Sequence, residues 1–153
     1  MDFLQCVHHV LAKLTQPTLR ELKEAISSIG CTRERILPHL THADILPYGR
    51  NVIFRSDVME AIVIHIPGKQ ETPVHDHGNS IGCAYVVEGS LINQLYVLDK
   101  ENQLFCYEQN RFLKGDFFYA VKGQIHKMCN PSEERLITFH VYSPPLTAMR
   151  TYR

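Results

Sequence analysis

Short apolar segments separated by turn residues fill the chain from Tyr48 onward, and this pattern limits the choice of fold most strongly. The segments are rich in β-branched and aromatic residues and comprise Val52–Arg55, Glu60–Ile66, Ile81–Glu88, Leu91–Leu98, Gln103–Tyr107, Asp116–Val121, Gln124–Cys129 and Arg135–Tyr142. Turn-forming pairs lie between them, including Pro67-Gly68, Glu88-Gly89 and Lys122-Gly123. Many short strands at regular spacing are typical of an all-β sandwich or barrel, so the sequence predicts a mainly β fold.

The sequence before this region has the periodicity of helices instead. Apolar residues recur at intervals of three and four residues over Asp2–Leu14, which predicts an amphipathic helix. A second helix is predicted over Thr18–Ser28, because Thr18 and Glu21 have the spacing of a capping box. A third, short helix is predicted to begin near Thr32. We expect these helices to pack against the outside of a small barrel.

Length and charge fit one domain without a broad charged surface. The 153 residues have a mass of 17.6 kDa, so we predict a single domain over residues 1–153, with a helical segment at 1–40 and a β-barrel at 48–145. Lysine plus arginine and aspartate plus glutamate both number 16, which argues against a nucleic-acid partner. No apolar run is long enough to span a bilayer, and the N-terminus has no pattern of a secretory signal.

The cysteines indicate a reducing compartment. Their number is odd and no C-x-x-C pair occurs, which argues against a disulfide framework and a zinc ribbon; they are Cys6, Cys31, Cys83, Cys106 and Cys129. Reduced thiols in the cytoplasm are the simpler interpretation. We expect a monomer that acts on a small molecule, without a membrane or nucleic-acid partner.

A cluster of histidines predicts a metal site. His75 and His77 are two residues apart, so in an extended segment both side chains point to the same side while Asp76 points away. A third inward-facing histidine from a distant strand would complete the site. His126 is the candidate, because it follows the turn at Gly123.

Two motifs in this region resemble those of the cupin superfamily. The glycines and histidines of the first motif correspond to Gly68, His75, His77 and Gly89, with one extra residue before the first histidine. The second motif is matched at Gly115, Gly123, His126 and Asn130, while Val121 replaces its proline. The resemblance implies a small, jelly-roll-like cupin β-barrel with the N-terminal helices packed on its outside.

The departure from the cupin pattern lies at Gly82, which occupies the place of the glutamate ligand. Glycine cannot bind a metal, so three neutral imidazoles remain as ligands. Histidine alone does not select among Fe(II), Zn(II), Cu(II) and Ni(II). A site without a carboxylate keeps the full charge of the ion and therefore favours an anionic, chelating substrate.

Three segments narrow the resemblance to the cysteine dioxygenase type I family. His75–Gly82 resembles the metal loop of that family, Tyr48–Asn51 its Tyr-x-Arg-Asn substrate motif, and His140–Pro145 its His-x-Tyr-Ser-Pro-Pro segment. The resemblance implies one Fe(II) per chain, bound by the three histidines named above. It also implies an enzyme that oxidises L-cysteine with O2 to cysteine sulfinic acid.

The same resemblance assigns roles around the metal. Arg50 is expected to bind the substrate carboxylate, and Tyr48 belongs to the same substrate motif. Tyr142 is expected to place its phenol beside the substrate and oxygen. His140 is expected to orient Tyr142 by a hydrogen bond, and Thr138 keeps a hydroxyl where the family often has serine.

Mammalian members of the family carry a cysteine at the place of Gly82, which forms a thioether crosslink to the tyrosine that corresponds to Tyr142. Here the nearest cysteine is Cys83, one residue away. A shift of one residue in a strand sends the side chain to the opposite face. We therefore predict that no crosslink forms.

Three alternative functions stay open. The first is a dioxygenase for 3-mercaptopropionate, although such enzymes commonly carry glutamine at the place of Arg50. The second is an isomerase or decarboxylase cupin with Zn(II) or Mn(II), although these usually keep the carboxylate ligand. The third is a non-catalytic cupin that senses a small ligand, although such modules often lose the metal histidines.

Overall fold

The computed structural model describes residues 1–153, which form three short helices, one 3-10 turn and ten strands. The helices are α1 (Phe3–Leu11), α2 (Leu19–Ile29) and α3 (Arg33–Ile36), and the turn is Leu37–His39. The strands are β1 (Gly49–Arg55), β2 (Glu60–Ile66), β3 (Val74–His75), β4 (Ile81–Glu88), β5 (Ser90–Leu98), β6 (Leu104–Leu113), β7 (Phe117–Ala120), β8 (Ile125–Cys129), β9 (Leu136–Ser143) and β10 (Thr151–Tyr152).

The strands form two antiparallel sheets. The first sheet has the order β1-β2-β9-β4-β7, and the second has the order β10-β3-β8-β5-β6. Apolar side chains of the two sheets meet in a cluster that includes Ile62, Met128 and Leu136. The predicted mainly β fold is therefore confirmed.

The helices cover the outer face of the first sheet. Leu22 and Ile26 of α2 belong to the same buried cluster as Val63 of β2 and Phe139 of β9. Because one face of β2 and β9 meets the helices and the other meets the second sheet, both strands are buried along almost their whole length. This double burial explains why their sequences are nearly continuous apolar runs rather than alternating ones.

The helix boundaries follow local capping chemistry. The backbone N–H of Glu21 donates to the hydroxyl of Thr18 at 3.2 Å, and the carboxylate of Glu21 accepts from the N–H of Thr18 at 3.1 Å. This reciprocal pair is the capping box that the sequence predicted. Helix α2 ends at Ile29 and is capped by Gly30, whose φ of +76° is a left-handed value that favours glycine.

None of the helices combines the length and apolar character that a membrane crossing needs.

Two strands and part of a third were not predicted from the sequence. β3 and β10 are each two residues long, too short for any periodicity to be detected. The strand predicted over Gln103–Tyr107 is in fact β6, which continues to Leu113 through the polar stretch Glu108–Arg111. β6 lies at the edge of its sheet, where polar residues are accessible to water, so its sequence resembles a loop.

Asn130 fixes the turn that follows β8. Its side-chain amide donates to the backbone carbonyls of Ile66, Pro67 and Glu134 at 3.0, 3.2 and 2.7 Å. Its amide oxygen accepts from the backbone N–H of Ser132 at 3.1 Å. The side chain thereby joins the end of β2 to the approach to β9, and only 3% of it is exposed.

We predict that Asn130→Ala lowers the free energy of unfolding by about 2–4 kcal/mol, because buried carbonyls lose their donors. Urea unfolding followed by circular dichroism measures the change. Asn110→Ala is the matched control, since the Asn110 amide donates only to the Glu108 carboxylate on the edge strand. Equal stability of both variants would show that Asn130 does not hold the turn.

Candidate metal centre

The fold brings together three histidines that are distant in the sequence. His75 ends β3 and is the direct cross-strand partner of His126 on β8, while His77 lies in the loop after β3. One ring nitrogen from each residue lies within 4.8 Å of the others. The exposed fractions are 7% for His75, 3% for His77 and 2% for His126. The predicted cluster therefore exists as a buried, converging set of imidazoles.

Hydrogen bonds on the outer side of the cluster fix the tautomers of His75 and His126. His75 Nδ1 donates to the carbonyl oxygen of Pro73 at 2.7 Å, because a carbonyl can only accept. His126 Nδ1 lies 2.8 Å from Asn93 Oδ1, and the same logic gives it the proton. With the protons on Nδ1, the Nε2 atoms carry free lone pairs, as metal-binding histidines require.

The electrostatics of the cluster favour a cation. Burial, followed by the charge of His75, lowers the pKa of His77 to about 3. Burial also lowers the pKa values of His75 and His126. Nε2 of His126 lies 3.3 Å from Nε2 of His77. With its proton on Nε2, His77 donates to His126 Nε2; with its proton on Nδ1, which has no partner in the structure, it presents a lone pair to the same point. In the second form three neutral ring nitrogens converge, and this donor set fits a divalent metal.

Gly82 and Tyr142 explain why this site has no carboxylate ligand. The two residues are direct partners in the β4–β9 pairing. A Cβ atom on Gly82 would lie 2.5 and 2.6 Å from carbons of the Tyr142 ring, which is closer than packing permits. The ring therefore occupies the space that a larger residue 82 would need, and it stacks on His77 with a centroid distance of 4.7 Å.

Cys83 lies on the other face of the same strand. It pairs with Val141 and belongs to the buried cluster between the first sheet and the helices, whereas Tyr142 belongs to the cluster between the sheets. Burial raises the pKa of the Cys83 thiol to about 12, so the thiolate form is disfavoured. The placement agrees with the expectation from strand alternation on which the absence of a crosslink was predicted.

A hydrogen-bonded relay follows one face of β9. Tyr142 Oη lies 3.0 Å from His140 Nδ1, and His140 Nε2 lies 2.8 Å from the hydroxyl of Thr138. Burial is the main reason that the pKa of His140 falls to about 3, and burial raises the pKa of Tyr142. A neutral imidazole carries one proton, so the ring donates to one hydroxyl and accepts from the other. The relay thereby holds a protonated phenol in one orientation.

A cavity lies next to two of the three histidines, His75 and His77. Its wall includes His75, His77, Tyr142, Tyr48 and Arg50. The chain's ion pairs, at Arg20–Glu24, Arg33–Glu88, Arg55–Glu60, Lys127–Glu71 and Arg135–Glu88, do not include Arg50. Arg50 is an exposed residue that lines the cavity and forms no ion pair with a carboxylate of the protein. His140 and Thr138 lie behind Tyr142 rather than in this cavity wall.

Sequence reasoning missed Asn93, whose amide oxygen accepts from His126. Only 4% of Asn93 is exposed, and it lies on the inward face of β5 between Leu91 and Leu95. The signal was present in the sequence, because inward-facing and outward-facing residues alternate along a strand and Asn93 is at an inward-facing position. A polar residue at such a position requires a polar partner. The carbonyl of Pro73 left no such signal, since any residue supplies a carbonyl.

Over residues 39–153 the sequence matches the model of the family described as cysteine dioxygenase type I. Among solved structures, a cupin domain from Schizosaccharomyces pombe has 16% identity over 70% of each chain and a TM-score of 0.58. An uncharacterized conserved protein with a double-stranded β-helix domain from Klebsiella pneumoniae has 19% identity over 77% of this chain and 94% of that chain, with a TM-score of 0.61. An oxalate decarboxylase from Lactobacillus farciminis has 16% identity over 75% of this chain but 34% of that chain, with a TM-score of 0.59. These structural likenesses confirm the predicted cupin fold and carry no information on the reaction.

We predict that Asn93→Ala weakens metal binding by about 10- to 100-fold, because His126 loses the partner that sets its tautomer and orientation. Competition with a chelator of known affinity measures the dissociation constant. Gln94→Ala is the control, since Gln94 is the next residue on the same strand and points to the opposite face. A dissociation constant unchanged from that of the parent protein would remove Asn93 from the metal centre.

Proposed function

The chain belongs to the cysteine dioxygenase type I family, and from this premise we propose that it oxidises L-cysteine with O2 to cysteine sulfinic acid at a mononuclear Fe(II) site. The observation that carries the proposal is a cluster of buried, neutral histidines that faces a cavity with an unpaired arginine and a protonated tyrosine. Each part of this arrangement has a counterpart in the chemistry of a thiol amino acid.

His75, His77 and His126 are proposed to hold the iron. A bound Fe(II) supplies the one-electron chemistry towards O2 that no side chain provides. Three neutral ligands leave the dipositive charge of the ion uncompensated, so an incoming thiolate gains electrostatic stabilisation. A ligand set with a carboxylate would offer a weaker attraction to the same thiolate, which supports a thiol as the substrate.

Arg50 and Tyr48 are proposed to bind the substrate carboxylate. The planar guanidinium of Arg50 presents parallel N–H donors that match the geometry of a carboxylate. Because Arg50 is on the cavity wall and has no ion-pair partner in the protein, a substrate carboxylate does not compete with an internal one. Its presence in the same cavity wall as His75 and His77 suits a molecule with a thiol at one end and a carboxylate at the other.

Tyr142 is proposed to donate a hydrogen bond from its phenol into the reaction site. This role requires that His140 Nδ1 carries the proton and donates to Tyr142 Oη, while His140 Nε2 accepts from the hydroxyl of Thr138. Burial raises the pKa of Tyr142, so the hydroxyl keeps its proton. His140 and Thr138 are proposed to restrict the rotation of that hydroxyl through the relay along β9. Such fixed donors stabilise charge that develops on transferred oxygen without paying for reorganisation of water.

The compartment and oligomeric state are also part of the proposal. All five cysteines are free thiols, and burial raises the pKa of Cys31 to about 12, so this thiol resists oxidation. We therefore propose the reducing cytoplasm as the compartment of the reaction. Separately, we propose a monomer as the active form. Light scattering of the purified protein at micromolar concentration tests the second point.

We predict that the protein loaded with Fe(II) under anaerobic conditions consumes O2 when L-cysteine is added, and that the product contains both oxygen atoms on sulfur. An oxygen electrode and mass spectrometry measure uptake and product, with 3-mercaptopropionate and cysteamine as parallel substrates. A preference for 3-mercaptopropionate would keep the iron site and overturn the assignment of the substrate. Bound iron without uptake for any thiol would indicate a cupin that is not an oxygenase.

We predict that Arg50→Ala raises KM for L-cysteine by about tenfold or more, because a charge-assisted contact to the substrate carboxylate is lost. Steady-state O2 uptake at varied cysteine concentration measures KM and kcat separately. Arg111→Ala is the control, since Arg111 is exposed on β6 and lies in none of the ion pairs. An unchanged KM for the Arg50 variant would remove Arg50 from substrate binding.

A further inference from the structure

We infer that Asp76 and Tyr152 are positioning residues, which fasten the C-terminal segment 144–153 across the metal loop and so fix both the His75 backbone and one wall of the cavity. The expected effect on substrate binding rests on the proposed function. The expected effect on the metal ligands does not depend on it. Asp76 lies within the metal loop His75–Gly82 and Tyr152 lies outside every motif, but neither residue has been assigned a role at the metal or the substrate.

Asp76 lies between the two histidines of the metal loop and points away from the metal. Its carboxylate accepts hydrogen bonds from the backbone N–H of Gly78 at 3.0 Å, from the backbone N–H of Arg150 at 3.2 Å and from the Tyr152 hydroxyl at 2.6 Å. The backbone N–H of Asp76 donates in turn to the carbonyl of Arg150 at 2.9 Å. One side chain thus connects the loop that carries His77 to the end of the chain.

The same contacts give β3 a second neighbour. β3 has only two residues, and on one side its pairing with β8 consists of His75 opposite His126. On its other side β10 pairs with it, with Thr151 opposite His75 and Tyr152 opposite Val74. A two-residue strand held from one side only is a weak element, so the β10 pairing restrains the backbone that aims His75 at the metal.

The segment between these contacts forms part of the cavity wall. At its start the Ser80 hydroxyl donates to the carbonyl of Pro144 at 2.7 Å. Between this point and the Asp76 contacts, the side chains of Leu146 and Met149 face the cavity beside His75 and His77. The backbone N–H of Leu146 also donates to the Glu60 carboxylate, so the segment is attached at Pro144, at Leu146 and at residues 150–152. Met149 lies between the last two attachments.

The hydrogen bond from the Tyr152 hydroxyl to the Asp76 carboxylate can be removed by substitution with little change in packing. The guanidinium carbon of Arg150 lies 4.8 Å from the centre of the Tyr152 ring, so the ring keeps a stacking partner when only the hydroxyl is removed. Tyr152→Phe then removes one hydrogen bond to a carboxylate and leaves the packing in place. A hydrogen bond to a charged group is strong enough to change a local opening equilibrium by about tenfold or more.

The test compares Tyr152→Phe with Tyr107→Phe, whose hydroxyl is on the exposed edge strand β6 and makes none of the hydrogen bonds in the structure. Amide hydrogen exchange of residues 147–153 in the metal-free protein reports whether the segment is fastened. Chelator competition with Co(II), together with the visible absorption spectrum of the Co(II) protein, reports the geometry of the metal site. KM and kcat for the preferred thiol report the cavity wall.

For Tyr152→Phe we expect exchange in the segment about tenfold faster, Co(II) affinity lowered severalfold with a shifted absorption band, and a higher KM at a kcat close to the parent value. Deletion of residues 150–153 is expected to lower Co(II) affinity further, because β10 is lost. Tyr107→Phe should change none of these quantities. Asp76→Glu, which keeps the carboxylate, is expected to recover more of the Co(II) affinity than Asp76→Ala.

Exchange that stays at the parent rate in Tyr152→Phe would show that the contact does not fasten the segment. Faster exchange with unchanged Co(II) affinity and spectrum would show that the segment does not position the ligands. Either result overturns the inference. If the parent protein oxidises no thiol, the proposed function fails, while the exchange and Co(II) measurements still decide the positioning role.

Discussion

The mutual approach of uncharged imidazoles inside a β-barrel is the interaction on which the rest of the site depends. The backbone pairing of β3 with β8 sets His75 directly opposite His126, and the loop after β3 brings His77 to the same point. Burial keeps the rings neutral, and outward hydrogen bonds of His75 and His126 leave their Nε2 lone pairs free. A cation at this point would accept a lone pair from each of the three rings once His77 carries its proton on Nδ1.

The register of the first sheet decides what surrounds the metal. Tyr142 on β9 is opposite Gly82 on β4 and Glu60 on β2, and only the absence of a side chain at Gly82 leaves room for the ring. In this structure the Tyr142 ring occupies the space that a side chain at position 82 would need. A larger residue at this position would require the ring or the backbone to shift.

The sequence was sufficient for the features that repeat or that carry a motif. The two-residue spacing predicted that His75 and His77 lie on one side of their segment. The second cupin motif predicted His126 as the third ligand, although it follows His77 by 49 positions. The barrel and the covering helices followed from periodicity and caps. Asn93 was detectable as a polar residue at a buried position of β5, but it lies outside the histidine motifs. β3, β10 and the role of Asp76 were not detectable, because each depends on backbone partners that only the tertiary fold brings together.

We propose that His75, His77 and His126 would hold an iron, which would supply the redox chemistry for oxidation of a thiol by O2. The most direct measurement is a single turnover of the Fe(II)-loaded protein with L-cysteine under isotopically heavy O2, followed by mass analysis of the sulfinate. The account predicts that both oxygen atoms in the new sulfur–oxygen bonds come from the labelled gas. Incorporation of oxygen from water, or formation of cystine without labelled product, would contradict it.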